Sequence, residues 1–147
     1  MKYKWLFLLI LIILTAWVSG CEKYTLNKIY GFYTLKSYTV DGIDSLSLYK
    51  DSLGTDFHFY YNDTYNHNEC LNTGIRTDGQ NTILVCKWEL INNEKILKII
   101  TSYGPIGTGP FGNNITPEWH LFNLTKKEIE MSTNYNDKEY IVNLNRL

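Results

Sequence analysis

From residue 29 onward the chain is a series of short runs in which apolar and polar side chains alternate. One run, NTILVCKWELI, places Leu84, Cys86 and Trp88 on one face of a strand, because successive side chains of a strand point to opposite faces. Turn pairs such as Asp41-Gly42 separate the runs, which are rich in β-branched and aromatic residues. The pattern predicts an all-β protein, an antiparallel up-and-down meander of about eight strands that closes into a barrel.

The first twenty residues have a different character. Lys2 and Lys4 precede an apolar run from Leu6 to Val18, and small residues follow. A bilayer-spanning helix needs roughly 20 apolar residues, so this shorter run predicts a secretory signal peptide over residues 1–20. The alternative is a buried helix at the N-terminus of a cytosolic domain.

The residues that end this segment, Val18-Ser19-Gly20-Cys21, resemble the bacterial lipobox, in which an aliphatic residue and two small residues precede an invariant cysteine. In lipoproteins of that kind the thiol is joined to diacylglycerol, the signal is removed and the new N-terminus is usually acylated. The resemblance implies that Cys21 carries the lipid and that residues 21–28 tether the protein to a membrane of the bacterial envelope, expected to be the outer one. Two or more acyl chains hold a protein stably, at about 0.8 kcal/mol per buried CH₂.

Two further cysteines flank a turn signal. Cys70 and Cys86 lie at equal distances from Asp78 of an Asp-Gly pair, a strong hairpin signal. They would then face each other across two antiparallel strands, and in an oxidising compartment they are expected to form a disulfide. Two buried free thiols are the competing interpretation, and a zinc pair is a weaker one because no nearby His or Cys has ligand spacing.

The two ends of the mature chain resemble lipocalin-like domains of Bacteroidota lipoproteins. The first run, GFYTLKSY from Gly31, is followed by Val40-Asp41-Gly42, and it carries Tyr33 where the family usually has a Trp that closes the barrel floor. The last stretch, WHLFNLTKKEIEMSTNYNDKEYIVNLNRL, is similar to the final hairpins of that family. The resemblance implies a meander of eight or nine strands, with the barrel domain spanning residues 29–147.

The sequence carries no sign of catalysis or of a metal centre. His58, His67 and His120 lie in separate segments without metal-ligand spacing, and neither a GxSxG motif nor a phosphate-binding loop occurs. The formal net charge of −1 gives no basic face for nucleic acid. We therefore expect a protein that is not an enzyme and that needs no cofactor.

Two functions remain. A barrel of about eight strands can hold a small apolar ligand, or it can be filled by its own side chains. The long irregular segment from Gly104 to Pro117 would lie at one mouth of the barrel, where Ile106 and Phe111 could cover an apolar interior. The first hypothesis is therefore a ligand-binding barrel; the alternative is a filled barrel whose loops, including this segment, contact a protein partner. A tolerated surface insertion is the neutral interpretation of the segment.

Overall fold

The protein is described by a computed structural model that covers residues 25–50, 54–75, 78–93, 95–103 and 117–147. Within these residues nine strands form one antiparallel sheet in the order β2-β1-β3-β4-β5-β6-β7-β8-β9. Pairing of β1 with β9 closes eight of the strands into a barrel, and β2 extends β1 as a short hairpin. The predicted all-β, up-and-down barrel of about eight strands is confirmed.

The strands follow one another around the barrel in chain order. Their bounds are β1 Gly31–Val40, β2 Ile43–Asp44, β3 Asp56–Asn62, β4 His67–Ile75, β5 Asn81–Ile91, β6 Ile96–Tyr103, β7 Glu118–Leu124, β8 Glu128–Tyr135 and β9 Lys138–Arg146.

Tight turns connect several of these strands. In the two-residue turns Asp41-Gly42 and Asn136-Asp137, both residues have positive φ, between 51° and 77°. Such turns match the right-handed twist of a hairpin, and Asn, Asp and Gly tolerate this backbone conformation best. The turn residues in the sequence therefore set where strands reverse, which in turn sets their register.

Inward-facing side chains fill the interior of the barrel with aromatic rings. Trp88, Trp119 and Tyr33 are each at most 1 % exposed. Phe59 meets Tyr33 edge-on at a centroid distance of 5.8 Å and Trp88 at 5.9 Å. Such pairs add about 0.5–1.5 kcal/mol each beyond the burial of their area. The predicted inward set of β5, which includes Leu84, is buried as expected.

A helical turn, α1, precedes the first strand at residues 25–29. Ile29 is fully buried, Leu26 packs against the core, and the Tyr33 hydroxyl donates to the Lys28 carbonyl at 2.5 Å. Residues 25–28 of the expected tether therefore lie in a helix that packs against the barrel. Residues 1–24, with the expected signal peptide, lie outside the described part of the chain.

A second short helix, α2, spans Leu46–Lys50 between β2 and β3. Its Tyr49 is buried, with its ring 5.0 Å from that of Tyr38. Neither helix was predicted, because an element of five residues is too short to show a helical repeat of apolar positions. No helix in the described ranges is both long and apolar enough to span a membrane.

The barrel has two distinct ends. The proximal end, as we call it, carries α1 and the turn at residues 125–127 between β7 and β8. The distal end carries α2 and the turns at residues 41–42 and 136–137. The chain therefore enters the barrel at its proximal end.

Candidate functional site

The interior was the first place where a binding site was expected. The described residues enclose a cavity of ≈ 20 Å³ there. That volume is about enough for one water molecule, whereas small-molecule pockets measure about 300–1,000 Å³. Around this cavity the described side chains of the lumen are closely packed. Its lining includes Phe57, Cys70, Leu84, Cys86, Trp119 and Met131.

The cysteine pair lies on adjacent strands, as its spacing predicts. Cys70 of β4 pairs directly with Cys86 of β5, and both are buried. Both are free thiols, so the expected disulfide is corrected to the competing interpretation. Burial raises the pKa of Cys86 to about 12 and that of Cys70 well above its usual range. Since the thiolate is the form that reacts, a buried neutral pair has little tendency to oxidise.

The outer surface of the barrel carries a row of stacked rings on β1 and β3. Phe32 stacks on His58 with centroids 3.9 Å and planes 10° apart, and His58 lies 4.8 Å from the ring of Tyr60. The strand register pairs Phe32 with His58 and continues the row to Leu71 on β4. Phe32 is 59 % exposed. We call Phe32, His58, Tyr60, Glu69 and Leu71 the outer aromatic face.

The Glu69 carboxylate lies at one edge of the outer aromatic face and holds neighbouring side chains by hydrogen bonds. Glu69 Oε2 accepts hydrogen bonds from the Tyr60 hydroxyl at 2.6 Å and from Asn62 Nδ2 at 2.8 Å. Its Oε1 lies 2.8 Å from His67 Nε2, while His67 Nδ1 lies 3.1 Å from the Tyr65 carbonyl. Both nitrogens of His67 thus lie within hydrogen-bond distance of an oxygen atom. The result is a locked side-chain network on an otherwise open sheet face.

The protonation properties of the face follow from these contacts. Hydrogen bonds from Asn62 and Tyr60 keep the pKa of Glu69 below its ordinary value, so it is ionised at neutral pH. The hydrogen bond to Glu69 and burial raise the pKa of Tyr60 to about 12. Burial also lowers the pKa of His58, so its ring is neutral in the stack. The face therefore combines uncharged rings with one fixed negative charge.

Other residues singled out in the sequence are not brought together. Cys21, Ile106 and Phe111 lie outside the described residues. His120 lies on β7, away from His58 and His67 on β3 and β4. The described residues contain no cluster of His, Cys, Asp and Glu that could hold a metal ion.

The Glu69 network was not predicted, although part of its signal is in the sequence. With the reversal between β3 and β4 placed at residues 63–66, Tyr60 pairs with Glu69 and Asn62 pairs with His67. Period-two alternation then puts all four side chains on one face. The polar segment NDTYNHNE has the composition of a solvated connection, so composition alone does not reveal this pairing.

No protein-family model and no curated protein matches the chain. Solved structures of similar fold do exist. A redesigned β-barrel is 15 % identical, with a TM-score of 0.54, and the match covers 84 % of this chain and 95 % of that one. The redesigned β-barrel mFAP1, bound to DFHBI, is 18 % identical with a TM-score of 0.50, covering 83 % and 98 %. At these identities the likeness shows the barrel fold alone.

Proposed function

We propose that the protein is a lipid-anchored binding module of a bacterial envelope, and that it contacts a partner protein through the outer aromatic face. The observation that carries this proposal is the ring row from Phe32 to Tyr60, with Phe32 exposed and Tyr60 held by Glu69, on the outside of a barrel whose described interior is closely packed. Chemistry is not part of the proposed role; the face binds and does not react.

The interior supports this choice over a ligand in the lumen. Trp88 and Trp119 are buried in the interior of the barrel, and the cavity beside Trp119 measures ≈ 20 Å³. A small apolar ligand of ordinary size needs at least ten times that volume. Binding inside the described lumen would therefore require the core to open.

The outer aromatic face has the composition of a protein interface. Aromatic residues are enriched at the centres of such interfaces, and large exposed apolar groups on a sheet mark contact sites. His58 stacks on both Phe32 and Tyr60, so both faces of its ring are in use, and the exposed ring of Phe32 remains for contact. An apolar side chain of a protein partner suits this exposed ring.

Anchoring through Cys21 is the other half of the proposal. Its support is the lipobox-like sequence Val18–Cys21, four residues before α1 begins at residue 25. A lipid at Cys21 would hold the barrel by its proximal end. The outer aromatic face, on the side of the barrel, would then stay open to a partner in the same compartment.

Photo-cross-linking in the cells that make the protein tests the face directly. Benzoylphenylalanine in place of Phe32 should give a discrete protein adduct. The matched control is the same change at Phe122, which is 58 % exposed but lies on β7, four strands from β3 around the barrel. Leu71→Asp, added to the position-32 probe, should abolish the adduct by placing a charge in the contact.

Equal adducts from both positions would show nonspecific contact and contradict the proposal. An adduct from position 32 that survives Leu71→Asp would also contradict it, because Leu71 lies in the same row. Intact mass of the mature protein checks the anchor separately, since an unmodified Cys21 would remove that half of the proposal.

A further inference from the structure

An open cleft of ≈ 520 Å³ lies at the proximal end of the barrel, beside the β7–β8 turn. Four basic side chains line it, together with one carboxylate. The basic residues are Lys36, Lys126, Lys127 and Arg146, and the carboxylate is Glu128. The cleft thus concentrates positive charge in a chain whose net charge is −1.

The three lysine side chains of the cleft are exposed to solvent. A bulge in β1 between Leu35 and Ser37 places Lys36 on the outer surface, and Lys126 and Lys127 are exposed turn residues. Within the described residues these three lysines form no ion pair. Their positive charges are therefore available to an external anion.

Arg146 connects the cleft to the start of β1 through hydrogen bonds. Its guanidinium donates to the Tyr30 carbonyl at 2.6 Å and to the Lys126 carbonyl at 3.3 Å. Tyr30 directly follows α1. The basic cleft and the N-terminal helix therefore share the same end of the molecule.

The distance from this end to the expected lipid is short. Three residues lie between Cys21 and Thr25, the first residue of α1, so the four residue steps from Cys21 to Thr25 span at most about 14 Å. The Debye length at physiological ionic strength is about 8 Å. Because the 14 Å is an upper limit, a lipid at Cys21 would allow the proximal end to approach within one Debye length of the membrane surface.

Charge is also distributed unequally between the two ends. By sequence, the segments that join strands at the proximal end carry Lys95, Lys126 and Lys127 against Asp63 and Glu94. Those that join strands at the distal end carry four aspartates against two basic residues: Asp41, Asp51, Asp78 and Asp137 against Lys50 and Arg76. An anionic surface would therefore favour the proximal end over the distal one.

We propose that this cleft is a phosphate-recognising surface that docks the proximal end of the barrel on the anionic phospholipid headgroups of the membrane. The inference rests on the proposed anchor at Cys21. Lys36, Lys126 and Lys127 contact headgroup phosphates while Arg146 keeps the cleft aligned with α1. The barrel then stands upright on the membrane with the outer aromatic face exposed at its side.

Vesicle sedimentation tests the docking without the lipid anchor. The chain from Glu22 onward retains every described helix and strand. It should bind vesicles of equal parts phosphatidylcholine and phosphatidylglycerol, but not vesicles of phosphatidylcholine alone. Binding should disappear at about 1 M salt, where the Debye length falls to about 3 Å. Inorganic phosphate at millimolar concentration should not compete.

The variant Lys126→Gln/Lys127→Gln should bind the anionic vesicles about 25-fold more weakly, since each basic residue at such a surface contributes about fivefold. Lys98→Gln/Lys138→Gln, which removes the same charge away from the cleft, is the matched control and should bind nearly as well as the unaltered chain. The altered lysines are on the surface, and near-ultraviolet circular dichroism confirms that both variants fold.

Three results would overturn the docking proposal. These are equal binding to neutral vesicles, equal weakening by both double variants, and competition by millimolar phosphate, which would make the cleft a site for free phosphate. The test is independent of acylation, because the protein used lacks Cys21. An unmodified Cys21 in cells would remove the anchor while leaving the vesicle result intact, so the two failures are distinguishable.

Discussion

The inner and outer surfaces of β3 use the same kind of side chain for different purposes. Phe57 and Phe59 face inward and are buried against other core rings. His58 and Tyr60, between and beside them, face outward and stack with Phe32. Inside, rings fill volume and stabilise the barrel; outside, they contribute little to the fold. This difference is what the proposed contact between the outer rings and a partner protein requires.

Truncating a core ring should give the largest effect. Trp88→Ala removes a side chain 1 % exposed and packed against Tyr30 and Phe59, and should lower the free energy of unfolding by about 3–5 kcal/mol. Phe32→Ala, on the outer aromatic face, should change it by about 0.5 kcal/mol or less. Urea denaturation measures both. Similar losses for the two variants would break the distinction between inner and outer rings.

The buried thiols test the difference between the interior and the outer surface through their reactivity toward alkylating reagents. With the pKa of Cys86 raised to about 12, its thiolate fraction at neutral pH is about a thousandfold below that of an ordinary cysteine. Cys70 and Cys86 should therefore resist alkylation in the native protein and both react after denaturation without reductant. If the denatured protein does not react with the alkylating reagent and its mass is two hydrogens lower, Cys70 and Cys86 form a disulfide and the free-thiol assignment is wrong.

Loss of the Glu69 charge should have a smaller effect on stability. Glu69→Gln weakens the hydrogen bonds from Tyr60 and Asn62 and should lower the free energy of unfolding by about 1 kcal/mol. Glu118→Gln, at an exposed position on β7, is the control and should have almost no effect. If the two variants matched in urea denaturation, the network would be an incidental surface contact.

Mild acid should give the smallest effect. Burial lowers the pKa of His58 below 6.5, so the unfolded chain takes up a proton first as the pH falls. Neutral His58 therefore contributes to the free energy of unfolding above about pH 6.5. This contribution is lost as the pH falls through the pKa that His58 has in the folded protein. His58→Phe should therefore lose less stability between about pH 7 and pH 5 than the unaltered chain does, with His120→Phe as the control. Equal losses would show that His58 is not desolvated.

The fold followed from local patterns, but the surface sites did not. The turn pair Asp41-Gly42 and the alternation in β5 were sufficient to predict a meander, because each depends on neighbouring residues. Closure into a barrel was predicted from the same pattern, and the pairing of β1 with β9 completes it. The Glu69 network needs the register of two strands, and the basic cleft joins Lys36 to residues 90 positions later. Alternation places side chains on a face, but it does not show which faces meet.

Whether the lumen or the outer face binds is decided most directly by native mass spectrometry of the chain from Glu22 onward, exported and gently released from cells. The filled interior predicts the bare mass of the chain, with two free thiols and no companion molecule. A bound small molecule that leaves on denaturation would contradict this account and identify the protein as a ligand-carrying barrel.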